Sequence, residues 1–279
     1  MKHRSGTSLI ELMIALVVLA IFASAMTALI LNNSRSDESN DARREARGVA
    51  RSAINILESE LRMAEPAGVI TPTDDSTITF RQPFAFGLVC ANTGGQVTIA
   101  MLPSADLPSN LTVTGYSGWA YRDSTGSYQY QATTSISAGS SATCTGASSP
   151  ITPLTASSGR VVQVPAVVGP ANGTVAFLYR QITYSLRAST TLAGRRGLFR
   201  TAGANGTAEE LATPFTDDAR FRWYILDNTV VQDTLPTAFA DLSGIQFVLT
   251  AQSILTPRNS SSPMQAPFTT SIFFQNRPN

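Results

Sequence analysis

The sequence has almost no lysine or histidine. Among its 279 residues, Lys2 is the only lysine and His3 the only histidine. The rest of the chain therefore has no imidazole to serve as a general base or metal ligand, and no lysine amine for a Schiff base or a phosphate-binding loop. Two cysteines, Cys90 and Cys144, are too few for a structural zinc site by themselves. These absences argue against an enzyme.

Charge is also scarce. Charged residues make up 14% of the chain and the formal net charge is +1. Nucleic-acid binding depends on an excess of basic side chains that neutralise phosphates, so we predict no nucleic-acid contact. No repeat period points to a solenoid or a propeller.

What the sequence does have is one long apolar run near its N-terminus. Residues Leu12–Leu31 include no charged side chain. As a helix this run is about 30 Å long, which matches the hydrocarbon thickness of a bilayer. Lys2 and Arg4 precede it, so the positive-inside rule predicts a cytoplasmic N-terminus and an exported C-terminal part.

Three interpretations of this segment compete. A cleaved signal peptide would be cut after Ala25, in the A-x-A pattern Ala23-Ser24-Ala25, but the apolar run continues past that point. A plain uncleaved membrane anchor is the second. Glu11 counts against the signal peptide, because a carboxylate at a membrane-helix position costs a few kcal/mol on insertion scales. The plain anchor leaves Glu11 as a polar residue near a helix start, where the macrodipole tolerates negative charge.

The third interpretation starts from the residues around Glu11. Gly6 is followed by TSLIELM, with the glutamate fifth after the glycine, and then by the apolar run. This stretch resembles the processing site of type IV prepilins and pseudopilins. The resemblance implies that prepilin peptidase cuts between Gly6 and Thr7 and methylates the Thr7 amine. It also implies that Glu11 pairs with the N-terminal amine of a neighbouring subunit, so that two buried charges relieve each other's desolvation. The family usually begins its mature chain with phenylalanine, and here the residue is Thr7.

The helical pattern extends beyond the membrane run. No proline occurs between Thr7 and Glu65, and Pro66 stops the pattern. Apolar residues recur at spacings of three and four, which predicts one face packed on a domain: Ala46, Ala50, Ala53, Ile54, Leu57, Leu61 and Ala64. We therefore divide this part of the chain into a leader (1–6), a transmembrane half-helix (7–31) and an exported amphipathic half-helix (32–65).

Residues 66–279 change to short β-branched runs separated by turn residues, which indicates a mostly β exported domain. A Ser/Thr-rich loop or insertion is predicted at 133–159, a turn at 194–197 and a helical turn at 208–212. The predicted strands are 76–81, 87–90, 96–102, 111–116, 127–132, 160–164, 174–186, 197–201, 220–226, 245–250 and 269–275. The fold class is α+β: a long N-terminal helix, half transmembrane, packed on a mostly antiparallel β domain, as in type IV pilins.

The order of motifs in the second half is similar to the J-type minor pseudopilins of type II secretion and the W-type minor pilins of type IV pili. The similar stretches are Val175–Leu186, Gly197–Arg200, Phe221–Tyr224, Leu242–Leu249 and Phe273–Arg277. The resemblance implies a structural subunit that takes part in filament initiation or tip assembly. Its implied partners are other pilin or pseudopilin subunits, prepilin peptidase, an inner-membrane assembly platform and membrane lipid.

The implied location is the bacterial inner membrane, as a single-pass protein, and afterwards a periplasmic or cell-surface filament. The sequence does not choose between a secretion pseudopilus, a type IV pilus and a DNA-uptake filament. A signal-cleaved secreted β-rich binding protein is the alternative function, and a membrane-anchored enzyme is disfavoured by the missing histidine and lysine.

Three further groups of residues carry predictions. Cys90 and Cys144 lie in the part predicted to be exported, where an even cysteine number favours a disulfide over two free thiols. Paired carboxylates at 74–75, 209–210 and 217–218 make calcium conceivable, although no 12-residue calcium loop is present, and we expect no cofactor. Arginines cluster at 43, 44, 47 and 51, either as a solvated face balanced by nearby acidic residues or as a contact with acidic groups of adjacent subunits.

Overall fold

A computed structural model describes residues 9–64, 68–70, 74–102, 116–145, 160–166, 169–203, 206–225, 230–233, 242–258 and 260–274. These residues form one long helix, one short helix and a set of β-strands. In chain order they are α1 (Leu9–Leu61), β1 (Val69–Ile70), β2 (Thr77–Thr93), β3 (Gln96–Met101), β4 (Tyr116–Arg122), β5 (Tyr128–Ala132), β6 (Ser137–Ala138), α2 (Ser141–Thr145), β7 (Arg160–Pro165), β8 (Val175–Ala188), β9 (Arg196–Ala202), β10 (Glu209–Phe215), β11 (Arg220–Ile225), β12 (Val231–Gln232), β13 (Leu242–Gln252) and β14 (Gln265–Phe273).

Helix α1 is continuous over 53 residues, about 80 Å at 1.5 Å per residue. The absence of proline allows this length, because each amide inside the helix can donate to the carbonyl four residues earlier. The helix ends at Leu61, a few residues before the predicted end. Tighter bonds from Met63 to Glu60 and from Ala64 to Leu61 close the last turn.

The strands form one branched sheet in which every described pairing is antiparallel. Its main path runs β12-β11-β13-β10-β9-β8-β2-β3-β7-β6. Strand β14 pairs with β13, β1 with β2, and β4 with both β5 and β8. The long apolar helix packed on a large antiparallel sheet confirms the α+β class.

Strands β2 and β8 are the longest and pair from Thr77–Ser185 to Leu88–Val175. Because β8 is longer than either partner on its other edge, β9 pairs with its C-terminal half and β4 with its N-terminal half. The branched sheet therefore contributes side chains to two separate buried clusters. The helix-side cluster joins α1 to strands including β9, β11 and β13, and the distal cluster lies among β2, β3, β4, β7 and β8.

The sequence predicted two strands, 76–81 and 87–90, where the structure has the single strand β2. Pro83 lies between them and has no amide hydrogen for the ladder. The register shifts between Pro83 and Ala85, so a bulge accommodates the proline without ending the strand. A hairpin between β8 and β9 is present where the turn at 194–197 is predicted, but the connection spans residues 189–195, with Gly194 at φ 72°, and Arg196 and Gly197 already belong to β9.

The helical turn predicted at 208–212 is wrong. Residues Glu209–Phe215 form β10, in which Glu209 pairs with Arg200 and Glu210 with Phe199. Pairing with β9 overrides the weak local helix preference, since sheet context decides short segments. The predicted Ser/Thr-rich loop is ordered in part, as β6 and α2, and its residues 146–159 lie outside the described part of the chain. Strand β4 was missed, and of the strand predicted at 111–116 only Tyr116 is described.

Candidate assembly site on the long helix

The first half of α1 is exposed along its whole described length, from Leu9 to Leu31. An 18-residue window in this helix has a mean hydropathy of 2.7 and none of it is buried. Leu9, Leu19 and Phe22 are 79%, 67% and 68% exposed. Burying apolar surface is favourable by about 25 cal/mol per Å², so a bare stripe of this size requires lipid or other protein segments to cover it.

Two polar side chains within the apolar run bond to their own helix. The hydroxyl of Ser24 donates to the carbonyl of Ile21, and that of Thr27 donates to the carbonyl of Ala23, each at 2.8 Å. A hydroxyl in hydrocarbon is costly unless it finds an acceptor. These bonds remove that cost, so the run is suited to a membrane despite its two hydroxyl residues.

Glu11 lies in the first described turn of α1, on its exposed surface. The positive end of the helix macrodipole favours a carboxylate there by about 0.3–1 kcal/mol. That gain is smaller than the insertion cost of a charge in hydrocarbon, so a cationic partner in the membrane would be favourable. Gly6 and Thr7, the predicted cleavage and methylation residues, lie outside the described residues.

The second half of α1 packs on the helix-side cluster. Its buried residues are small near the middle of the helix and larger toward the end: Ala42, Ala46, Ala50, Ala53, Ile54, Leu57 and Leu61. Alanines let the helix backbone approach the sheet closely, and the two leucines are fully buried among strand side chains. This packing fixes how the exposed half projects from the domain.

A polar contact fixes the end of the helix. Tyr184 donates a hydrogen bond to Glu60 at 2.8 Å, and Arg200 bonds the same carboxylate at 2.9 Å and 3.1 Å. Glu60 and Arg200 are only 18% and 24% exposed. Burial raises the pKa of the Tyr184 hydroxyl, and the negative charge of Glu60 raises it further. Burial by itself lowers the pKa of Arg200, but bonds and charge from Glu60 outweigh it, and the pKa is raised.

The loop between β13 and β14 makes a second polar contact with the helix. The amide of Ile254 donates to Glu45 at 3.3 Å, and Arg258 lies 3.7 Å from Glu38. Sequence reasoning missed both this loop and Glu60. Their partners are more than 120 positions away, as with Glu60 and Tyr184, 124 residues apart, so no local spacing reveals them.

Cys90 and Cys144 form a disulfide in the structure, with their Cα atoms 4.8 Å apart. Both residues are fully buried, and the bond holds α2 on β2 and β3. Cys90 follows Val89, a residue of the distal cluster, and neither cysteine belongs to the helix-side cluster that packs on α1, so the role of the disulfide is to stabilise the domain.

One carboxylate of each pair is held by hydrogen bonds within the chain. Asp74 accepts from Ser76, Glu210 from Thr190, and Asp218 from Thr250. Burial tends to raise the pKa of Glu210, but the bonds from Ser189 and Thr190 outweigh it and the pKa is lowered. Within the described residues no group of three or more His, Cys, Asp or Glu side chains is placed to hold a metal ion.

Comparison with known proteins gives one match. Residues 1–27 match the family described as the prokaryotic N-terminal methylation motif. The match points to a type IV pilin-like protein, and with the apolar helix it is consistent with single-pass membrane anchoring. It also suggests assembly with other pilin subunits and processing by prepilin peptidase. No curated protein and no solved structure matches the chain significantly.

Proposed function

We propose that this protein is a minor pilin or pseudopilin, a structural subunit that takes part in initiation or tip assembly of a type IV pilus or a type II secretion pseudopilus. One observation carries the proposal. The methylation motif at residues 1–27 continues directly into a helix with an entirely exposed apolar first half and a second half locked onto a β domain. The exposed apolar half of the helix can lie in a membrane or pack against the helices of other subunits, while the β domain remains in water.

In this proposal prepilin peptidase cleaves between Gly6 and Thr7 and methylates the Thr7 amine. The N-terminus faces the cytoplasm and the domain is exported, because Lys2 and Arg4 precede the span. The subunit then waits in the inner membrane until it enters the filament, where Glu11 pairs with the amine of a neighbour. The J-type and W-type likeness of the second half supports a minor subunit, and an oxidising compartment suits the Cys90–Cys144 disulfide.

The mass of the intact mature chain from membranes is the decisive measurement. A start at Thr7, with or without a methyl group, supports the proposal. A start at Met26 would contradict it and favour the secreted, signal-cleaved alternative. Gly6→Leu serves as a control because it should leave the leader attached without altering the described domain.

The role of Glu11 needs a separate test. Glu11→Gln keeps the shape of the side chain and removes its charge, so it should reduce recovery of the subunit in sheared filaments while processing at Gly6 continues. Glu58→Gln is a matched control, since Glu58 lies on the second half of the same helix and pairs only with exposed Arg62 within the described structure. Equal recovery of the Glu11→Gln variant and wild type would show that Glu11 has no assembly role.

A further inference from the structure

The outer face of strands β11, β13 and β14 carries aromatic and polar side chains side by side. This face points away from α1, because the alternate residues of the three strands are buried in the helix-side cluster. Strand pairing sets Tyr224, Gly244 and Phe273 in one row across the face. The neighbouring row is polar and consists of Arg222, Gln246 and Ser271. We call these two rows, together with Asp233, the Phe273 surface.

The ring of Phe273 is fixed by packing but open on its outer side. It is 43% exposed, and its centroid lies 5.0 Å from that of the Tyr224 ring, with the two planes tilted by 49°. Gly244 lies under the ring, since a methyl group at that position would come within 2.6 Å of the ring carbon Cδ1. The glycine therefore lets the ring rest against the sheet. A ring held in this way can stack on a ligand at little cost in conformational freedom.

A hydrogen-bonded network beside the ring holds the polar groups in place. Arg222 donates to both carboxylate oxygens of Asp233, at 2.6 Å and 3.2 Å, and to the side-chain oxygen of Gln246 at 3.2 Å. The amide of Gln246 donates to the hydroxyl of Tyr224 at 2.9 Å. That hydroxyl in turn lies 3.2 Å from the hydroxyl of Ser271. The polar groups are therefore positioned before any ligand arrives.

These groups retain hydrogen-bonding capacity at the surface. The side chain of Asp233 is 61% exposed, and a carboxylate accepts up to about four hydrogen bonds, of which Arg222 supplies two. The hydrogen bond and the charge of Arg222 lower the pKa of Asp233, so this group is ionised and only accepts. The hydroxyls of Tyr224 and Ser271 can both donate and accept. The surface thus offers donors and acceptors beside an aromatic ring.

We propose that the Phe273 surface binds carbohydrate, in the form of uncharged pyranose rings with equatorial hydroxyls. Such a ring has C–H groups on its flat faces and hydroxyls around its rim. The C–H face stacks on Phe273, and the rim hydroxyls donate to Asp233 and exchange hydrogen bonds with Tyr224. Asp233 balances Arg222 and leaves only Arg220, 3.6 Å away, in excess, which is too little positive charge for nucleic acid. A protein partner would need a larger apolar centre than these two rings.

This activity is separate from the assembly role proposed for α1. The Phe273 surface lies on the opposite side of the sheet from the helix, so the proposal holds whether the mature chain starts at Thr7 or at Met26. An open sheet face covers only one side of a sugar, and we therefore expect weak binding, with a Kd on the order of 1 mM.

Titration of the full-length chain with cellotetraose, followed by saturation-transfer NMR of the sugar, tests the proposal. The detergent must have no sugar headgroup. Sorbitol has similar hydroxyls but no ring, so it should give no saturable signal. Phe273→Ala removes the stacking ring and should raise the Kd about tenfold. Phe86→Ala is the matched control, because Phe86 is 46% exposed but lies on β2, outside this surface, and its loss should leave the Kd unchanged.

Asp233→Asn provides a second variant at an exposed position, with circular dichroism to show that each variant is folded. It should weaken binding several-fold while the aromatic ring is kept, because a charged acceptor is lost. The proposal is overturned if wild type gives no saturable signal up to about ten times the expected Kd, or if sorbitol binds as well as cellotetraose. It is also overturned if folded Phe273→Ala or Asp233→Asn binds as tightly as wild type, or if Phe86→Ala weakens binding as much as Phe273→Ala.

Discussion

The two halves of α1 share one continuous helix but have opposite relations to the rest of the molecule. From Leu9 to Leu31 every residue is exposed, whereas from Ala42 onward a stripe at spacings of three and four is buried in the helix-side cluster. Both halves are rich in apolar residues. The two halves differ in how the apolar residues are arranged around the helix. Apolar residues on all sides of a helix cannot be covered by one sheet, whereas an apolar stripe on one side can. Apolar content alone therefore does not say which surface covers a helix.

The strongest way to test this contrast is the same substitution in each half. Leu57 is fully buried and Leu29 is 68% exposed. Leu57→Ala removes buried methyl groups and leaves a cavity, so it should lower the free energy of unfolding by about 2–5 kcal/mol. Leu29→Ala should leave it within about 0.5 kcal/mol.

Urea unfolding of the detergent-solubilised chain measures this difference. Trp223 lies in the same cluster as Leu57 and Trp119 lies in the distal cluster, so tryptophan fluorescence follows the unfolding of both clusters. If Leu29→Ala destabilised the domain as much as Leu57→Ala, the first half would have to pack on the protein, contrary to the structure.

The next largest effect concerns the two glutamates near the end of the helix. Glu60→Gln weakens the contact with Arg200 and leaves that guanidinium half-buried without its charge partner, so we expect a loss of about 1–3 kcal/mol. Glu58 pairs with Arg62, which is 67% exposed, so Glu58→Gln should cost between 0 and about 1 kcal/mol. Thermal unfolding of both variants at one pH compares them directly, and similar losses would mean that Glu60 does not fasten the helix.

A smaller effect is a dependence of stability on alkaline pH. Burial and Glu60 raise the pKa of Tyr184 in the folded state, while the unfolded value is about 10. Above pH ~10 the unfolded chain loses this proton first, so stability is present below that pH and falls as the pH rises. Tyr184→Phe cannot titrate and should lose less stability between pH 8 and about pH 11 than wild type. The buried hydroxyls of Tyr116 and Tyr179 also have raised pKa values, but they are present in both proteins, so their effect on stability cancels in the comparison. An equal loss of stability at alkaline pH in wild type and in Tyr184→Phe would contradict the role of Tyr184.

The smallest effect is predicted in the membrane half. Thr27 bonds only to the carbonyl of Ala23 in its own helix, and valine has nearly the same shape. Thr27→Val should therefore leave the subunit resistant to extraction by alkaline carbonate to the same degree as wild type. It should change the free energy of unfolding of the domain by no more than about 0.5 kcal/mol. A clear loss of subunit recovery in filaments would show that this hydroxyl contacts another subunit.

Much of this molecule can be predicted from sequence where the determinants are local. The apolar run, the spacing of Ala46 to Leu61 and the lack of proline before Pro66 predict one long helix with two different halves. The spacing of Gly6 and Glu11 carries the likeness to prepilins, and the family match at residues 1–27 rests on the same segment. Each of these signals is contained within one stretch of chain, so no tertiary information is needed to find it.

Tertiary structure decided those features whose partners are distant in the sequence. β2 runs on through Pro83 because β8 pairs along both sides of the bulge, and Glu209–Phe215 is a strand because β9 lies beside it. Glu60 meets Tyr184 and Arg200 only after the sheet has brought residues 124 and 140 positions away onto the helix. Local sequence determined the long helix and the apolar character of its first half, whereas the long-range pairing of strands determined where that helix is fastened, because such contacts leave no periodic mark in the chain.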